Sequence, residues 1–201
     1  VIHLCALHDF LPGVQAVIDQ GGDVNVQDSL GRTALQIACA RLNVRMVSLL
    51  LQNGGQTNLE NHFGRTSMHE VNYYHRNGED VVLIMRMLFE HGANLNYPDD
   101  EDWTPLHVAA ANFQTDFLAL LLGIGAELDM LTAEGQSALH LAVLDGQTPM
   151  LDLVLQHRGA EMYMALEQAR SMMLYATMNA SEPDAATRRE AISAAKVQIG
   201  R

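Results

Sequence analysis

The chain has 201 residues, of which 48% are apolar, with 12 Lys and Arg against 24 Asp and Glu for a formal net charge of −12. That composition allows a continuous core, contains no apolar run near the roughly 20 residues of a membrane span, and opposes direct binding to nucleic acid phosphates. Two cysteines are no disulfide framework, so Cys5 and Cys39 are expected to be reduced, buried thiols of a cytoplasmic or nuclear protein.

Taken in order, the predicted elements repeat. Val1-Ile2-His3-Leu4-Cys5-Ala6 is followed by Thr33-Ala34-Leu35-Gln36-Ile37-Ala38, Thr66-Ser67-Met68-His69, Thr104-Pro105-Leu106-His107-Val108-Ala109-Ala110 and Ser137-Ala138-Leu139-His140-Leu141-Ala142. The leading hydroxyls are spaced 33, 38 and 33 residues apart, a fixed period with one five-residue insertion, which marks a solenoid. Thr at the start caps a helix, and Pro105 at the first helical position gives up a donor the helix does not use. Each unit continues into a second helix that is apolar nearly all round, for example Phe117 to Leu122. Gly21, Gly54, Gly92, Gly125 and Gly159 are expected to end these second helices in left-handed caps. Exposed connectors follow, such as Asp28-Ser29-Leu30-Gly31, Asn61-His62-Phe63-Gly64 and Thr132-Ala133-Glu134-Gly135, with Asp99-Asp100-Glu101-Asp102 placing Asp where Gly is usual. The insertion falls in Tyr73 to Asp80 and is expected to lengthen the loop between the two helices of its unit, a common place for a binding surface.

The pattern of Thr-Pro-Leu-His, helix, turn, second helix, Gly-Ala and then Asp-x-x-Gly resembles the ankyrin repeat family over about residues 1–160. The resemblance implies an all-α solenoid with units near 1–32, 33–65, 66–103, 104–136 and 137–170. From Gly159-Ala160 onward the pattern decays, and residues 171–201 are expected to form a degenerate capping repeat or C-terminal helices. The chain opens inside a repeat without Met and is expected to be a fragment of a longer protein.

The chemistry of catalysis is missing from this pattern. Lysine occurs once, at Lys196, and no nucleophile elbow, Cys-x-x-Cys or His-Glu-x-x-His is present, so no catalytic residue, cofactor or metal is assigned. His3, His69, His107 and His140 share one register, but packed helices are about 8–10 Å apart, too far for shared ligation of one ion. The resemblance implies instead a structural bracket that bonds connectors near the helix start.

Charge and family geometry point to a binding face. No Lys or Arg stands between Arg86 and Arg158, a stretch holding eleven acids. In this family the fingers and first helices line a concave surface, where Arg32, Arg65, Trp103 and Gln136 should form a ladder. Tyr73, Tyr74 and Asn112 are expected at the first-helix ends, and Asp99, Asp100 and Asp102 on an acidic edge. An acidic edge steers a basic partner towards it. The expected function is therefore a protein-interaction module for a partner with a basic segment, possible roles being regulation of transcription or signalling. The alternative is a recognition or targeting module of a larger multidomain protein, such as a ubiquitin-ligase adaptor or an enzyme.

Overall fold

A computed structural model describes residues 1–72, 78–144 and 152–160. They contain α1 (Ile2–Leu7), α2 (Leu11–Asp19), α3 (Ala34–Ala40), α4 (Val44–Gln52), α5 (Ser67–Asn72), α6 (Glu79–Glu90), α7 (Pro105–Ala111), α8 (Thr115–Gly123) and α9 (Ala138–Leu144), and a further helical stretch, α10, at 152–160. No strand occurs among the described residues. The fold is an all-α repeat solenoid. The chain divides into two compact units, 1–153 and 154–201.

Within the first unit, helices pair as α1 with α2, α3 with α4, α5 with α6 and α7 with α8. First helices then stack on first helices, α1 on α3, α3 on α5, α5 on α7 and α7 on α9. Small residues make that close approach possible: Ala38, Ala109 and Ala110 are fully buried in it. Behind them α4, α6 and α8 form a second layer, burying Met46, Val47 and Leu50, then Ile84, Met85 and Leu88, then Phe117, Leu118 and Leu121. Each such side chain contributes about 1.5–3 kcal/mol of burial.

The connectors are held by a recurring turn and by one another. In each, the first residue donates its N–H to the carbonyl of the fifth: Asp28 to Arg32, Asn61 to Arg65, Asp99 to Trp103 and Thr132 to Gln136, at 2.8–2.9 Å. Adjacent fingers are joined by His62 N–H to Leu30 O, Asp100 N–H to Phe63 O and Ala133 N–H to Glu101 O. Gly64 is required there, because its φ is +70° and a Cβ would lie 2.6 Å from the Asp100 nitrogen. Asp102 occupies the equivalent position with φ +60°, so the turn survives the replacement of Gly by Asp. Its N–H still donates to Asp99 O at 2.9 Å.

Two expectations need correction. Gly21, Gly54, Gly92 and Gly125 have φ between +74° and +98°, as caps should, whereas residue 159 is helical, inside α10, and caps nothing there. The insertion does not go into the loop alone. Helix α6 has 12 residues where α4 and α8 have 9, so part of the extra length extends the helix, which starts with the acids Glu79 and Asp80, favourable at an N-terminus.

Candidate functional site

The histidine register is a set of brackets. The Thr66 N–H donates to His69 Nδ1 at 3.1 Å, which leaves the proton on Nε2 to donate to Trp103 O at 3.0 Å. His107 repeats this with the Thr104 N–H (3.2 Å) and Met130 O (3.0 Å). Gln36 does the same work with an amide: its Oε1 accepts from Thr33 N–H, and its Nε2 donates to Leu59 O and Arg65 O. Each bracket thus ties a helix start to the following connector. Burial of His69 pushes its pKa down to about 4, and burial also lowers that of His107, so both rings are uncharged at neutral pH. No group of side chains suited to a metal ion occurs among the described residues.

The two arginines of the expected ladder are already paired. Arg32 donates to Asp28 Oδ2 from Nε at 3.0 Å and from Nη2 at 2.8 Å. Burial alone would raise the Asp28 carboxyl, but these bonds and those from the Arg32 and Leu30 amides hold it below its usual value. The next finger begins with Asn61 in place of Asp, and Arg65 reaches across to Asp99 Oδ2 at 3.2 Å. Asp99 is 7% exposed, and its Oδ1 accepts from the Glu101 and Trp103 amides at 3.0 and 2.9 Å. The structure therefore takes Asp99 out of the acidic edge. Its carboxylate is consumed in building the turn that carries Trp103. Asp100, Glu101 and Asp102 remain exposed.

Trp103 is half-buried, with its ring edge-on to His107 at a centroid distance of 6.3 Å and an interplanar angle of 61°. It lines a cavity of about 260 Å³ together with Arg65, Glu101, Val108, Ala111 and Asn112. Three of the expected residues, Arg65, Trp103 and Asn112, are thus brought together. Gln136 holds the matching turn position one repeat on, half-buried. Tyr73 and Tyr74 lie outside the described residues.

A second cavity of about 320 Å³ lies at the same register two repeats earlier, lined by Leu7, Arg32, Gln36, Ile37, Ala40, Arg41 and Glu70. Arg32, Ile37, Ala40 and Arg41 occupy the positions that Trp103, Val108, Ala111 and Asn112 occupy in the first. The residue missed from sequence is Glu70. It stands where the other repeats place Ile37, Val108 and Leu141, and it is as buried as they are, at 8% exposure. An acid on an apolar register was the available signal. Its Oε1 accepts from Asn61 Nδ2 at 3.0 Å, which explains Asn61 in place of Asp. Burial raises its pKa against the opposing effects of Arg65, Arg32 and Asn61. Close by, the buried Cys39 thiol is pushed well up by burial and then by Glu70, and stays protonated.

Models described as ankyrin repeats match residues 2–83, 74–122 and 134–164. Human inversin is 26% identical over 192 residues, covering 77% of this chain and 18% of that protein. The chicken nuclear factor NF-kappa-B p105 subunit is 33% identical over 78 residues, 39% of this chain and 8% of that protein. The human transient receptor potential cation channel subfamily A member 1 is 28% identical over 111 residues, 53% of this chain and 10% of that protein. The chain spans less than a fifth of the length of these relatives. Together with the repeat fold, the likenesses support a protein-interaction module. No helix among the described residues is long and apolar enough to cross a membrane.

Proposed function

We propose, from the premise that this chain belongs to the ankyrin repeat family, that its finger and first-helix face binds a protein partner through a Lys/Arg-rich segment. The observation that carries this reading is the cavity formed by Trp103, Glu101 and Asn112. The indole offers a face to a cation, an interaction of about 0.5–2 kcal/mol. The neighbouring His107 is uncharged at neutral pH and does not compete for that face. Arg65 lines the same cavity with its charge met by Asp99, while the Glu101 carboxylate is exposed at the mouth. Asp100 and Asp102 add to the field that draws a basic segment in, and the same field repels nucleic acid phosphates.

The wider role is regulatory, in transcription or signalling, in a reducing cytoplasmic or nuclear compartment. The likeness to a nuclear factor subunit supports it. A second reading, a recognition module carried by a larger multidomain protein, is favoured by the length of the relatives, of which this chain matches less than a fifth.

Trp103 is the sole tryptophan, so its emission reports on this cavity alone. Titration with a short peptide of alternating arginine and alanine should change that emission saturably. The affinity should fall several-fold between about 0.05 and 0.3 M salt, as screening predicts. A peptide with glutamate in place of arginine should give no response. An unchanged emission, or binding indifferent to salt, contradicts the reading.

A further inference from the structure

We infer that the Glu70 cavity is a second anchoring site, taking a lysine or arginine side chain from the same extended partner segment whose other basic residue occupies the Trp103 cavity. The inference rests on the reading above and names the second half of its site.

The two cavities share four positions, with Arg32, Ile37, Ala40 and Arg41 in one equivalent to Trp103, Val108, Ala111 and Asn112 in the other, while their carboxylates come from different places, Glu70 from α5 and Glu101 from a finger. In each, the ladder arginine is neutralised by an aspartate, Arg32 by Asp28 and Arg65 by Asp99. One glutamate per cavity is left over, Glu70 and Glu101. Leu7, Ile37 and Ala40 supply apolar wall for the stem of a long basic side chain, whose head then reaches the carboxylate. Among the described residues Glu70 makes one hydrogen bond, from Asn61 to Oε1, and Oε2 is left to accept from a ligand. Burial makes Glu70 costly to keep ionised even with Arg65, Arg32 and Asn61 acting in the other direction, and an incoming cation offsets the cost that remains. An anionic ligand would meet the same carboxylate as repulsion.

Spacing follows from the repeat. Stacked helices are about 8–10 Å apart, so cavities two repeats apart are separated by about 16–20 Å, which an extended chain at about 3.3 Å per residue spans in five or six residues. Arg41 is exposed at the rim of the Glu70 cavity and opposes a cation there. Its removal separates the two charge signs a ligand could have.

The test uses the full 201-residue chain and labelled peptides of serine and alanine carrying two arginines at separations from two to ten residues, read by fluorescence anisotropy. Affinity should peak at a separation of five or six. Glu70→Gln, which keeps the side-chain shape, should reduce the affinity of that peptide at least fivefold, to the level of a one-arginine peptide, and Arg41→Ala should raise it. Glu70→Val, the residue found at position 108, is the second variant should Gln disturb the Asn61 turn, with thermal unfolding confirming that both fold. A flat dependence on separation, an unchanged affinity in Glu70→Gln, or a loss of affinity in Arg41→Ala overturns the inference. If Trp103 emission still responds to basic peptides in that case, the one-cavity reading stands. If it responds to none, both fail.

Discussion

At the scale of single residues, the fold is held by side chains that satisfy backbone groups at fixed positions in each repeat. His69 illustrates the consequence for stability. Its folded pKa of about 4 lies below the ordinary value of 6.5, because burial penalises the charged ring and a protonated Nδ1 could no longer accept from the Thr66 amide. Between those values the unfolded chain takes up a proton that the folded chain refuses, so this contribution is intact above pH 6.5 and is lost as pH falls towards 4. The loss at the lower end is on the order of 3 kcal/mol. Gln36 makes the equivalent bonds without titrating, so His69→Gln should fold and lose much of the acid sensitivity. Denaturant unfolding from pH 7 to 4.5 measures this; an identical slope in the variant would refute the assignment. The register of His69 was legible in sequence because repetition displays it. Glu70 was not, because one acid in an apolar column has meaning only once Asn61 is seen to donate to it.

At the scale of elements, the fingers depend on their neighbours as much as on their own turns. Asp99 shows this best: it accepts two amides of its own finger and pairs with Arg65 of the one before. Asp99→Ala should therefore destabilise the protein by about 3 kcal/mol, as expected for breaking a buried charge pair. It should also loosen Trp103, giving a red-shifted emission. Asp100→Ala, at the next residue and on the exposed edge, should stay within about 0.5 kcal/mol of the parent. Equal effects would mean that the turn does not depend on the Asp99 carboxylate. A string of four acids gives no sign in sequence of which one turns inward. Helix starts and the second-helix core were legible, since Thr-Pro and runs of Leu state their structure locally. The division of the insertion between loop and α6 was not, because a helix extends wherever its first turn is stabilised, here by Glu79 and Asp80.

At the scale of the whole molecule, repetition turns local chemistry into a surface. Because first helices stack on first helices, equivalent exposed positions fall at a fixed spacing along one face, and under the inference above two cavities on it receive one partner segment. The central claim is that this face, and not the second-helix layer behind it, receives a basic segment. The most direct measurement is amide chemical-shift mapping of the isotope-labelled chain with the arginine-alanine peptide. The account predicts that the perturbed amides cluster at Arg65, Glu101, Trp103 and Asn112, with those of α4 and α8 unmoved. Perturbations centred on Val44–Gln52 or Thr115–Gly123, with Trp103 unaffected, would contradict it.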